Sequence, residues 1–189
     1  MPPLAPRRAA VFVDRDGTIN RAIVREGKPY PPEQVDDFEL LAGASSALHS
    51  LRDAGFVVVV VTNQPDVAEG RQERAVVEQM NAKLIDGGLC DAVKTCYHSD
   101  RDGCDCRKPK PGMLLEAARE WDIDLARSFM IGDRWRDVRA GQTAGCYTFL
   151  IENGYSERRV AANAIVESLA EAAQVILDRR SSTGPALNG

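Results

Sequence analysis

An α/β fold is predicted, with a doubly wound, Rossmann-like parallel sheet carrying helices on both faces. Three observations predict it. Apolar, β-branched runs alternate with amphipathic helical patterns along most of the chain. The run at residues 56–61, Phe-Val-Val-Val-Val-Val, is apolar on both faces, as a central parallel strand must be. Polar groups suited to chemistry follow directly on three of the predicted strands, which is the edge where open parallel sheets bind ligands.

The elements follow in order. Residues 9–13 form the first strand, and Asp14-Arg15-Asp16-Gly17-Thr18 follows it. Residues 19–37 hold Pro29, Pro31 and Pro32 and are long for a plain connection, so they form either a functional flap or a small hairpin. A helix over 43–54 turns Leu48 and Leu51 inward and is stopped by Gly55. The valine strand comes next, then a helix over 71–85 with Val76, Val77, Met80 and Leu84 at helical spacing. A third strand is expected at 92–97, a helix with proline in its first turn at 111–121, and a fourth strand at 128–131. A short helix at 134–143, a fifth strand at 147–151 and a closing helix at 164–179 complete one domain over residues 1–180. Residues 181–189 are expected to be a flexible tail.

With 189 residues, 44% hydrophobic and 28% charged, the composition is that of an ordinary globular domain with a full core. The formal net charge is 24 − 28 = −4 with no basic block, which disfavours nucleic acid as a partner. No segment approaches the roughly 20 apolar residues of a membrane span. The first eight residues carry Arg7 and Arg8 but no apolar signal core, so a cytoplasmic location is expected. In that compartment the five cysteines are metal ligands or free thiols before they are disulfides. No protein partner is indicated, and a monomer is expected.

Four constellations carry chemistry. Asp14 and Asp16 can hold one divalent metal and divide nucleophile and proton-transfer roles between them. Taken alone, D-x-D-G is equally a loop turn after a strand. The second is Thr62-Asn63-Gln64 after the valine run, and the third is Gly132-Asp133 with Asp137 one helical turn on. A threonine or an acid after a strand is most often a cap. Parallel order, however, carries all three to one edge, where Asp133 completes an oxygen-ligand site with Asp14 suited to magnesium. Asp137 is either a supporting contact for that site or a helix-cap partner. The fourth is Arg107-Lys108-Pro109-Lys110-Pro111-Gly112, basic residues before a helix N-terminus, where an anion is favoured.

Just upstream lie Cys96-Tyr97-His98 and Cys104-Asp105-Cys106. Three thiolates and one imidazole match a closed tetrahedral zinc site, structural because no position is left open. Such a site would pin the loop at 96–106 that delivers Arg107 and Lys108. Cys90, Cys146 and His49 have no such neighbours and are expected to be packing or surface residues.

Together these stations resemble the haloacid dehalogenase superfamily of phosphotransferases over nearly the whole chain, from Val11 to about Ile151. The zinc loop resembles the branch holding the D,D-heptose 1,7-bisphosphate phosphatases and the histidinol-phosphate phosphatases. The resemblance implies a Mg²⁺-dependent phosphatase without a large cap domain, acting on a small phosphorylated sugar. It implies Asp14 as nucleophile, Asp16 as acid/base, and Thr62 and Lys108 as phosphoryl ligands. Asp14, Asp133 and the Asp16 main-chain carbonyl would then hold the magnesium. Asn63 and Arg107 are expected to help position the phosphate or its leaving group. The basic run and Ala68-x-Gly70 are similar to the heptose enzymes, and the five-residue gap from His98 to Cys104 to the histidinol-phosphate enzymes. Pro65, Asp66 and Glu69 depart from the heptose pattern. A reading of another class is a catalytically inactive, zinc-stabilised binding module, against which the intact acids and Lys108 speak.

Overall fold

The computed structural model describes residues 7–182. Its centre is a six-stranded sheet of β1 (Ala10–Val13), β4 (Val57–Asn63), β5 (Ala92–Cys96), β6 (Phe129–Gly132), β7 (Tyr147–Ile151) and β8 (Ala164–Val166). All its pairs are parallel, in the order β5-β4-β1-β6-β7-β8. A separate antiparallel pair, β2 (Ile23–Arg25) and β3 (Lys28–Tyr30), forms a hairpin just after β1.

Strand alternation divides the core in two. Val11, Val13, Val58 and Val60 face α1 (Ala44–Asp53) and α6 (Leu169–Ser182). Ala10, Phe12, Val57, Val59 and Val61 face α4 (Gly112–Glu120) and α5 (Trp135–Ala144). Both faces are thus covered, which accounts for valines that are apolar throughout β4. A one-turn helix α2 (Pro65–Ala68) and the longer α3 (Arg74–Asp86) link β4 to β5.

Three expectations about the elements need correction. The closing helix does not start at 164: Ala164–Val166 is the edge strand β8, paired in parallel with Phe149–Ile151 of β7. The helix starts at Leu169, where the Ser168 hydroxyl accepts from the Glu171 amide and the Glu171 side chain reaches back to the Glu167 amide. Ser-x-x-Glu is a helix-start signature present in the sequence, and the alanine-rich pattern around it hid a three-residue strand. Ser181 and Ser182 of the expected tail belong to α6, while 183–189 lie outside the described residues. The helix expected over 71–85 starts at Arg74, and α2 was not anticipated.

Because β1 is flanked by β4 and β6, the residues after these three strands converge at the centre of one sheet edge. The hairpin settles the question posed by residues 19–37. It is a small hairpin, and its Pro29, Tyr30 and Pro31 also wall the cleft above that edge.

Candidate active site

Asp14 leaves β1 with its amide bonded to the Ile131 carbonyl of β6 at 2.9 Å, which fixes it beside Asp133. The chain then turns at Gly17, whose φ is +89°. A Cβ there would lie 1.9 Å from Asp133 Oδ2, so only glycine allows the two strand ends to approach.

Lys108 is 2% exposed and stands at the middle of the cluster. Its Nζ donates to Asp14 Oδ1 at 2.6 Å and to the Val61 carbonyl at 2.7 Å, and it pairs with Asp137 Oδ1 at 2.6 Å. Asn63 clamps the Lys108 backbone from both sides: its Nδ2 donates to the carbonyl at 2.9 Å and its Oδ1 accepts from the amide at 3.1 Å. Asp137 has a double task, since its Oδ2 also accepts from the Arg134 amide at 3.0 Å and so caps α5.

Three buried carboxylates, Asp14, Asp133 and Asp137, thus share one ammonium, an excess of negative charge. Burial first and Asp137 second push Asp14 up to about 6, although Lys108 pulls the other way. Burial, then Asp14 and Asp137, hold Asp133 well above the usual carboxylate range. Burial works against the Lys108 ammonium, but Asp137 and Asp14 outweigh it and raise its pKa.

Ligand oxygens of these three acids lie within 4.8 Å of one another, and Asp133 Oδ1 is buried with no hydrogen-bond partner. Both oxygens of Asp137 are already engaged, so Asp14 and Asp133 are the acids available to a cation. An all-oxygen site with an excess of negative charge fits magnesium. From the loop after β7, Asn153 Nδ2 donates to the Gly17 carbonyl at 3.0 Å, and Tyr155 hydrogen-bonds Asp133. Sequence reasoning found neither.

Asp16 lines the same cleft, but its carboxylate is not part of the acid cluster. Its two oxygens accept from Arg15, from Asn20 Nδ2 at 3.0 Å and from Gln64 Nε2 at 2.7 Å. Gln64 also donates to Thr62 Oγ1 at 2.8 Å, joining the end of β4 to the end of β1. Thr62 and Asn63 line the cleft. Arg107 does not: its Nε donates to Asp100 Oδ1 at 2.8 Å, and Arg134 and Arg136 of the α5 N-terminus line the cleft instead. Their position directly after Gly132-Asp133, at a helix start, is a signal for anion binding that was available in the sequence. Of the residues that depart from the heptose pattern, Asp66 and Glu69 both pair with Arg71, away from the cleft lining.

The second cluster forms as expected. Sγ of Cys96 lies 3.7 Å from that of Cys104 and 3.2 Å from that of Cys106, and Cys104 and Cys106 are 3.4 Å apart. His98 Nδ1 is 3.6 Å from Cys96 Sγ and 3.3 Å from Cys106 Sγ. None of these cysteines is in a disulfide. Thiolates bound to zinc at about 2.3 Å stand about 3.8 Å apart on the tetrahedron's edges, so sulfurs at 3.2–3.7 Å lie close to the spacing that zinc would set. Ser99 and Asp102 brace the loop with a capping box, and Lys110 ties it back by donating to the carbonyls of Gly103 and Cys104. Cys90 and Cys146 are buried and His49 is exposed, as expected of packing and surface residues.

Known proteins resemble this chain over most of its length. A D-glycero-beta-D-manno-heptose-1,7-bisphosphate 7-phosphatase of Photorhabdus laumondii is 39% identical over 88% of this chain and 94% of its own. The Escherichia coli K12 enzyme of the same name is 38% identical over 88% of this chain and 93% of its own. The chain belongs to the haloacid dehalogenase superfamily, in its heptose-bisphosphate phosphatase family. A HAD-hydrolase-like family also matches residues 105–172. A crystal structure of D,D-heptose 1,7-bisphosphate phosphatase from B. bronchiseptica, complexed with magnesium and phosphate, superposes with a TM-score of 0.77. It is 32% identical and covers 90% of this chain and 99% of that one. The class is that of a phosphoric monoester hydrolase, and no helix among the described residues is long and apolar enough to cross a membrane.

Proposed function

We propose that this chain is a Mg²⁺-dependent phosphatase that removes one phosphate from D-glycero-D-manno-heptose 1,7-bisphosphate. The observation that carries this reading is the convergence of Asp14, Thr62, Lys108 and Asp133 at the ends of adjacent parallel strands and the loop beside them. The names of the relatives support the heptose bisphosphate, with the 7-phosphate as the group that leaves.

Magnesium, when bound by Asp14, Asp133 and the Asp16 carbonyl, would neutralise charge on the transferring phosphoryl group. Lys108 and Thr62 hold that group, with Asn63 fixing Lys108 by its backbone. A carboxylate oxygen of Asp14 attacks phosphorus as the bond from phosphorus to the sugar oxygen breaks, leaving an aspartyl-phosphate. The departing oxygen keeps the bonding electron pair and takes a proton from Asp16. As a carboxylate, Asp16 then takes a proton from water, and the water oxygen attacks phosphorus. The bond to Asp14 breaks, so ester and water become alcohol and inorganic phosphate. The Pro29–Pro31 wall of the hairpin would exclude bulk water meanwhile.

Cys96, His98, Cys104 and Cys106 would hold a structural zinc that steadies the loop leading to Lys108. A second reading, histidinol phosphate as substrate, is favoured by the five-residue gap between His98 and Cys104. The inactive-module reading predicts no turnover of any ester. A cytoplasmic monomer is our expectation, in keeping with an ordinary globular composition and with cysteines that are free thiols. The test is Mg²⁺-dependent phosphate release from both anomers of the heptose bisphosphate, histidinol phosphate and simple sugar phosphates, ranked by kcat/KM. The heptose bisphosphate is expected to rank first; histidinol phosphate in first place would overturn the substrate assignment.

A further inference from the structure

Arg15 sits between the two acids in sequence, and its side chain is completely buried. A guanidinium stays charged at any pH the fold survives, so it is costly to bury without a counter-charge and a partner for its N–H groups. Its Nε and Nη2 meet the two oxygens of Asp16 at 3.2 and 3.1 Å, a fork against a fork. Its Nη1 donates to Asn81 Oδ1 on α3 at 2.8 Å, and Asn81 Nδ2 donates onward to Thr95 Oγ1 on β5 at 3.0 Å. The Phe38 ring packs against the guanidinium at 5.8 Å. Arg15 is therefore held, on the sides away from Asp16, by Asn81 and Phe38, which take no part in the chemistry. Asp16 is the carboxylate it pairs with among the described residues.

Lys108 draws its charge partners from the other acids, Asp14 and Asp137, and makes no ion pair with Asp16. Each of the two acids that act on the ester thus has its own basic residue, reached by a separate polar chain. Asp14 is tied through Lys108 to Asp137 and α5, and Asp16 through Arg15 to α3 and β5.

We propose that Arg15, anchored by Asn81, is a positioning residue that sets the orientation of the Asp16 carboxyl group for both of its proton transfers. A planar fork fixes the carboxyl plane, which a single ammonium cannot do. The proposal rests on the phosphatase reading and deepens it.

Two variants test it. Arg15→Lys keeps a buried cation but loses the fork. Asn81→Asp keeps the size of the anchor and offers Arg15 a second carboxylate that competes with Asp16. Each variant and the wild type are assayed with the sugar bisphosphate and with 4-nitrophenyl phosphate, whose leaving oxygen departs without protonation. With the sugar ester, kcat is expected to fall about tenfold or more while KM stays within about twofold, because proton transfer is weakened and phosphate binding is not. With the aryl ester, the first turnover stays at the wild-type rate and the steady state slows, giving a burst of nitrophenolate stoichiometric with enzyme. Unchanged kcat in both variants would overturn the proposal. So would an equal slowing of first turnover and steady state, which is the mark of general structural damage. Wild-type turnover of neither ester would instead refute the phosphatase reading on which the proposal rests.

Discussion

The acid cluster and the cysteine cluster are built in opposite ways. Asp14, Lys108, Asp133 and Asp137 come from distant parts of the chain, are buried, and are placed by β1, β6, α5 and the loop before α4. Cys96, His98, Cys104 and Cys106 span one short loop, and only Cys96 is buried. The first site is therefore pre-organised by the sheet, and a cation adds charge balance to a frame that already stands. The second, braced by short-range contacts, would depend on the ligand bonds of a bound metal, whose loss would cost local structure. In the proposed reading, one cluster is the place for chemistry and the other a clamp that presents Lys108 to it.

Substitutions separate the two. Asp14→Asn is expected to lower phosphate release by at least about a thousandfold, the scale on which losing a nucleophile acts, with circular dichroism unchanged. Lys108→Met leaves buried carboxylates uncompensated and is expected to abolish activity and cost roughly 3–5 kcal/mol of stability, read by denaturant unfolding. Cys104→Ser removes one of the four ligands and is expected to lose the zinc, read by elemental analysis. It should lower the melting temperature and reduce activity less than Asp14→Asn does. Wild-type protein that contains no zinc would remove the clamp side of the comparison.

Acidity gives a smaller effect. The folded pKa of Asp14 is raised from 3.8 to about 6, so between those values the folded state binds more protons than the unfolded one. Stability of the metal-free protein is therefore expected to fall as pH rises from about 4 to 6. Mg²⁺ favours the ionised form, so it should raise the melting temperature more at pH 7 than at pH 5. A gain independent of pH would show that Asp14 does not face the cation. Tyr155→Phe, which removes one contact to Asp133, is expected to raise the Mg²⁺ concentration for half-maximal activity only a few-fold.

The same contrast governs what was legible in the sequence. The cysteine loop was readable because its ligands are neighbours and its chemistry is specific. The acids were readable because strand ends announce themselves through apolar runs followed by Gly-Asp or Asp-x-Asp. The spacing offers Asp137 as a supporting contact or a cap, and it is both. Arg15 was hidden because a charged residue in a loop is ordinarily solvated, and only the packing of α3 and Phe38 buries it. Asn153 and Tyr155 were hidden by distance, since 136 residues separate Asn153 from the Gly17 carbonyl it binds. Arg107 points to Asp100 rather than the cleft, a local charge pairing that a basic motif does not disclose.

Asp14 is the group proposed to carry the phosphate. Rapid acid quench of the enzyme with Mg²⁺ and substrate labelled in the transferred phosphate, followed by peptide mapping, tests this directly. The label is expected on the peptide containing Asp14, formed and lost at rates that match turnover and absent in Asp14→Asn. Phosphate release at the normal rate with no label on the chain, or with label on another residue, would contradict it.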